Sequence, residues 1–301
     1  MTETTKPAGT IYDLGYKRYA GVRRGSGTRW RVLARNQLAM AWKTWWRYKA
    51  PLGLAIVTTL AAGAGMFLFS DELMRSVAGK QAATLADATL PLSIAWFTRA
   101  AFLASLTVGA RVVAGDVQAG AFTFYFARSV RPRDYVLGKI AGMFALMAPL
   151  FLLGPVLLAL ARLGLSSDTE ELRHVLLLVP KALALGVLGT LVFATVPLAF
   201  SALLANARYT VATWAAYYLI VGGMVSGIGA MSNGWIGALD IATALDAVAY
   251  YLFDLKLFIG RAGNIDPTVA LVALVAHVGV ALAIVTVQVR RLHGRGVGGA
   301  T

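Results

Sequence analysis

A chain that hydrolyses ATP itself needs G-x-x-x-x-G-K-[ST], because glycine amides must wrap the phosphates while Lys and Ser or Thr reach phosphate and metal. Two Gly-Lys pairs occur, Gly79-Lys80 and Gly138-Lys139, but they continue with Gln81 and Ile140, so neither completes the loop. The three histidines, His174, His277 and His293, are far apart in sequence, and neither H-E-x-x-H nor G-x-S-x-G occurs. With no cysteine there is no thiolate nucleophile, disulfide or Cys-ligated metal. The expectation is a non-enzyme with no metal or cofactor of its own. Two sets of residues could still do physical work. One is Arg99, isolated in an apolar run. The other is the stretch 114–139, AGDVQAGAFTFYFARSVRPRDYVLGK, where Phe122, Phe124, Tyr125 and Phe126 sit among arginines between two long apolar segments.

The 301 residues are 58% hydrophobic and 14% charged, with a mean hydropathy of +0.68, far from the balance of a soluble domain. A spanning helix needs about 20 mostly apolar residues. Six segments meet that length or approach it, at 50–69, 91–114, 135–160, 176–204, 209–230 and 267–289. The fold class is therefore all-α and polytopic, with six transmembrane helices. Six crossings put both termini on one side, and the charges choose it. Most of the 28 Lys and Arg lie before the first span, in 111–139, at Arg208 and in the tail, while most of the 14 Asp and Glu lie in the alternating connections. That bias places both termini in the cytoplasm. The formal net charge of +14 is then explained by cytoplasmic loops and anionic lipid, and nucleic acid is not required.

Residues 1–27 form a polar cytoplasmic arm without the apolar core of a signal peptide. Residues 28–49 suit an amphipathic interfacial helix. Trp30, Ala34, Leu38, Ala41 and Trp45 share one face, and Arg29, Asn36, Lys43 and Arg47 lie opposite, with Arg35 and Trp42 between them. A basic membrane anchor and a docking helix are both open readings of it. The six-helix domain covers 50–289, with a cytoplasmic loop at 115–134 and a cytoplasmic tail at 290–301. The outer connection 231–266 is too apolar for a simple loop and too punctuated by Asp240, Asp246 and Asp254 for a clean span, which suggests an interfacial or re-entrant segment covered by protein. Gly223 and Gly227 make a G-x-x-x-G packing signal in the fifth span. His277 is expected to be hydrogen-bonded between helices, and Lys181 to snorkel. Arg99, eight positions after Pro91 and so about 12 Å along a helix, either lines a translocation path or snorkels and pairs, for example with Asp87.

The loop carries the sharpest signal. FTFYF reads as a short helix pairing Phe122 with Phe126 rather than as a lone edge strand. Its exposed aromatics, rimmed by arginines, have the composition of an interface core, or of an aromatic belt at the membrane surface. Asp134 is expected to cap the third span after Pro132. The order Asp116, Gly120-Ala121, Arg128-Ser-Val, Arg133, then Leu137-Gly138-Lys139 resembles the first cytoplasmic loop of type-2 ABC transporter permeases, which reads roughly R/S-P-V-S-R-x-x-x-L-G-K before the third span. This chain departs from it in the order Arg131-Pro132-Arg133 and in having Asp where Glu is commoner. The resemblance implies a permease subunit of the bacterial inner membrane that exports a substrate or drives a mechanical change. It would pair with a second permease copy or paralogue and with a separate ABC ATPase carrying ATP and Mg. It implies ATPase coupling through Asp116, Gly120, Phe122, Tyr125, Phe126, Arg128, Arg131, Arg133 and Lys139, aided by an elbow helix with Trp30, Arg35, Trp42 and Trp45. The alternative is a non-transporting scaffold that recruits a cytosolic partner through the same loop.

Overall fold

The computed structural model describes residues 26–43, 45–71, 76–77, 80–127, 130–166, 172, 175–232, 234–255 and 260–298. The arm through residue 25, Arg128, His174 and the last residues of the tail lie outside that set. Among the described residues all regular structure is helical: α1 (Arg29–Trp42), α2 (Ala50–Ser70), α3 (Lys80–Thr107), α4 (Val112–Gln118), α5 (Ala121–Ala127), α6 (Pro132–Phe151), α7 (Leu153–Gly164), α8 (Leu178–Leu203), α9 (Ala207–Ala216), α10 (Gly222–Met231), α11 (Ile241–Leu252) and α12 (Pro267–Gly298). Joined end to end, they make six helices long and apolar enough to cross a membrane, Trp45–Ser70, Thr84–Gln118, Pro132–Gly164, Leu178–Leu203, Ala207–Met231 and Pro267–Gly294. Each of the six expected spans falls on one of them.

The fourth is the hub. In its most apolar stretch 67% of residues are buried, against 17% in Trp45–Ser70 and in Ala207–Met231, so the first and fifth form the flanks. Glycine notches on α8 explain its central place. A Cβ at Gly189 would lie 2.2 Å from the Phe151 ring and one at Gly186 2.7 Å from Leu152, so only hydrogen lets the two helices close. Phe151 and Leu152 sit where the third crossing breaks between α6 and α7, bracketed by Pro149 and Pro155, each of which removes a backbone donor. By contrast, among the described residues nothing lies within 4 Å of a Cβ placed at Gly223 or Gly227, so neither packs closely against a described neighbour. On α10 the buried positions are Gly222, Ser226 and Gly229.

Two boundaries move. The second crossing does not begin at Pro91. Helix α3 starts at Lys80 and runs through that proline, since one lost donor inside a long, packed helix is tolerated. Helix α1 ends at Trp42, and a π-helical turn over Trp45–Lys49 leads into α2. The single helix expected over 28–49 is therefore two pieces. Trp45, at the start of the second piece, is 61% exposed.

The connection between the fifth and sixth crossings carries a buried helix. After α10 the chain turns at Gly234, whose φ of +81° and whose absent Cβ, which would lie 1.9 Å from the Asn264 carbonyl oxygen, both require glycine. Helix α11 follows, its start capped by the Asp240 carboxylate, which accepts from the Thr243 amide at 3.2 Å and also bonds the Thr243 hydroxyl. Ile241, Ala244, Leu245 and Val248 of α11 are buried in the bundle, which meets the requirement that protein shield such a segment.

Candidate coupling site

The loop between the second and third crossings is a braced pair of short helices. Helix α4 is held by α8, where the Ser201 hydroxyl accepts from the amides of Val113 and Ala114, both at 2.9 Å. It ends at Gly120, whose φ of +64° lets the chain reverse while its amide donates to Val117 O at 3.1 Å. Helix α5 starts at once, and Thr123 ties back to the Gly120 carbonyl at 2.7 Å. Helix α6 opens at Pro132. Asp134 is not its N-cap but sits one turn in, accepting from the Arg131 amide at 3.3 Å, because proline already fills the first helical position.

At the centre stands Tyr135, fully buried. Its hydroxyl donates to Asp116 Oδ2 at 2.7 Å, and Lys139 Nζ meets the same oxygen at 2.7 Å while lying 5.3 Å from the Tyr135 ring centroid. The rings of Phe122, Tyr125 and Phe126 surround Tyr135 at 5.0, 5.7 and 6.4 Å. Phe126 also meets His293, near the end of α12, at 4.6 Å. Burial, and secondarily the Asp116 charge, push the Tyr125 hydroxyl's pKa above its ordinary value, so it stays protonated. The structure thus corrects the expectation of an exposed aromatic cluster. Phe122 is buried and Tyr125 and Phe126 half-buried, because a helix this short turns one face onto Tyr135. Phe124, on the other face, is 73% exposed. Arg131 and Arg133 are also exposed, and Lys139 is enclosed. Arg128 lies outside the described residues.

Helix α1 docks on α6 beside this core through Leu33, Ala34, Gln37 and Ala41. A Cβ at Gly138 would lie 2.7 Å from Leu33 Cβ and one at Gly142 2.8 Å from the Gln37 amide oxygen, so Gly138 and Gly142 form a notch for α1. Trp30 is half-buried, whereas Trp42, Trp45 and Arg35 are exposed. Tyr48 anchors the following turn by donating to Leu146 O at 2.8 Å. Sequence reasoning missed Tyr135 and Gly142, although the four-residue spacings 135/139 and 138/142 are readable helix-face signals.

Arg99 is not brought to this site. It lies on an exposed flank of α3 with its guanidinium 4.4 Å from the Trp96 ring centroid, in the field of Asp246 on α11. The suggested partner Asp87 is instead bonded to Arg162 Nε at 2.9 Å. His277 does join two helices. Its Nδ1 lies 2.7 Å from Ala273 O, and since a carbonyl only accepts, that nitrogen carries the proton and Nε2 accepts from the Tyr217 hydroxyl at 2.7 Å. Among the described residues no group of three His, Cys, Asp or Glu could hold a metal.

Six apolar crossings around a buried hub define a multi-pass helical membrane protein. No protein family matches this chain, and no curated protein matches it.

Proposed function

We propose that the chain is the membrane permease subunit of an ABC transporter, embedded in a bacterial inner membrane with both termini inside, and that it couples ATP hydrolysis on a separate subunit to export or to a mechanical change. The observation that carries this reading is the construction of α5. Its inner face is fixed to Tyr135 and the end of α12, while its outer face and the adjoining helix start offer Phe124, Arg131 and Arg133. A force on Phe124 would pass through Phe122, Tyr125 and Phe126 to Tyr135, and through Asp116–Lys139 to the second and third crossings together. Gly120 supplies the turn. Such a brace suits rigid-body switching between two states. Helix α1, seated in the glycine notch, gives the same force a second contact. A second permease copy would cover the little-buried first and fifth crossings.

The test is purification from native membranes in mild detergent, with the bound proteins identified by mass spectrometry. A Walker-motif subunit in equal amount is expected, and Phe124→Ala combined with Arg131→Gln should weaken its retention roughly tenfold or more while membrane insertion is unchanged. If no ATPase is retained even after crosslinking, the coupling reading fails and the scaffold reading replaces it.

A further inference from the structure

Helix α11 lies outside the six crossings yet packs on α3, α8 and α12, and it carries an acid that the coupling reading does not use. Asp246 is partly exposed as a residue, but its Oδ1 is enclosed and, among the described residues, receives no hydrogen bond. A carboxylate oxygen enclosed without a donor is costly, and a neutral carboxyl asks for less. The other acid of this segment is built the opposite way. Asp240 Oδ2 accepts from the Thr243 amide and bonds its hydroxyl, which also meets the Ser226 hydroxyl at 3.0 Å, so donors hold its charge.

More enclosed polar atoms fall nearby. Tyr218, in the π-helical turn of the fifth crossing, lies in the fields of Asp240, Asp246 and Arg99 together. Its ring stacks on Phe102 of α3 at 4.0 Å and meets Phe193 of α8 at 6.1 Å. Thr98 and Thr190 lie one helical turn from those two rings, on the same faces of α3 and α8. They are 2% and 0% exposed, and among the described residues neither hydroxyl has a partner. Thr58, Thr89 and Thr195 instead bond the carbonyl four residues back. Arg99 completes the group. Its guanidinium rests on the Trp96 ring and lies in the field of Asp246, yet no ion pair joins the two among the described residues.

We propose that Asp246 is a proton-binding site whose occupancy sets where Arg99 rests. With the proton bound, the neutral carboxyl leaves Arg99 in its cation–π contact with Trp96. When the proton passes to water at the exposed side of the residue, the carboxylate draws the guanidinium, which is always charged, off the indole and ties α11 to α3. Proton affinity and the α3–α11 contact are then linked, so whatever moves one changes the other. Burial, and secondarily the Asp240 charge, favour the protonated form, and Arg99 opposes it. Tyr218 and Tyr250 also face Asp246, and as neutral phenols they add no charge. The other neighbours of α11 bring His277, bonded to Tyr217, Asp266 at the cap of α12, Lys181 on α8 and the exposed Arg261. Among the described residues the charges that act on Asp246 are Asp240 and Arg99.

The full chain in phosphatidylcholine nanodiscs is treated with a hydrophobic carbodiimide, which attacks protonated carboxyls, between about pH 5 and about pH 9, and the modified residues are located by peptide mass spectrometry. On unaltered protein Asp246 is expected to be modified and Asp240 spared, with modification falling about tenfold per pH unit above its midpoint. Arg99→Gln removes the cation and should move that midpoint to higher pH by about one unit or more. Asp240→Asn keeps an oxygen for the Thr243 amide but removes the neighbouring charge, and should move the midpoint to lower pH. The reagent's own pH dependence cannot shift in opposite directions in two variants. If enclosed water satisfies Asp246 instead, the residue stays charged and unmodified, and that result on unaltered protein alone overturns the proposal. A midpoint that neither variant moves overturns it as well. No ATPase is present in this assay, so its outcome is independent of the coupling reading.

Discussion

Two ion pairs join the second and third crossings at opposite ends of the bundle, and they are built differently. In Asp116–Lys139 both side chains are enclosed, 19% and 9% exposed, and the carboxylate also accepts from Tyr135. In Asp87–Arg162 the arginine is 6% exposed but the carboxylate is 58% exposed. Water screens the second pair and scarcely reaches the first. The enclosed pair therefore behaves as one unit whose members need each other, whereas the open pair is a tether whose acid can turn to solvent. The most severe test is Lys139→Met, which strands a buried carboxylate. Loss of about 3–5 kcal/mol is expected, read as a large fall in the melting midpoint in detergent. Adding Asp116→Leu should recover most of that loss, and a double variant as unstable as the single one would show that Lys139 matters through packing instead.

The next two changes are smaller. Tyr135→Phe keeps the ring that Phe122, Tyr125 and Phe126 pack on and removes only the bond to Asp116, so about 1–2 kcal/mol should be lost. Loss on the scale of Lys139→Met would mean that the hydroxyl, not the ammonium, holds the carboxylate. At the other end Asp87→Asn removes a half-exposed charge but keeps an amide oxygen that can accept from the buried Arg162 Nε, so the loss should stay at about 1 kcal/mol, and added salt should narrow the gap to wild type. A cost equal to that of Lys139→Met would erase the distinction between the two ends.

The six crossings were legible because apolar length is a local property of the chain. The turn at Gly120 was not: that glycine entered only through the resemblance to the permease loop, and the second span, expected to end at 114, runs on through α4 to Gln118. The three-way contact of Asp116, Tyr135 and Lys139 was half legible. Asp116 and Lys139 carry the resemblance to the permease loop, but a tyrosine hydroxyl becomes a partner only when α4 lies beside α6, which Ser201 on a distant helix arranges. Phe122 was misread for a related reason. FTFYF shows that a helix has two aromatic faces and does not say which one meets the bundle. The pairing of Asp87 with Arg162 spans 75 residues and depends on two crossings lying antiparallel. The end of α1 at Trp42 was hidden because residues 28–49 keep helical periodicity throughout.

A third carboxylate gives the comparison its lower limit. Asp266 has no cationic partner among the described residues. It accepts from the amides of Thr268 at 2.7 Å and Val269 at 3.3 Å, capping the start of α12, and these bonds hold its pKa below the ordinary 3.8. Its charged form is the one that caps, so its folded pKa is lower than its unfolded one. The stability it adds is fully present above pH 3.8 and is lost as pH falls through the folded value. Asp266→Ala should therefore melt slightly below wild type at neutral pH, and the two curves should converge on acidification. Because the group is solvent-exposed, the neutral-pH gap should be the smallest of the four. If the gap persists at low pH, the aspartate acts through turn geometry rather than charge, and the electrostatic ranking of the three acids then rests on the two ion pairs alone.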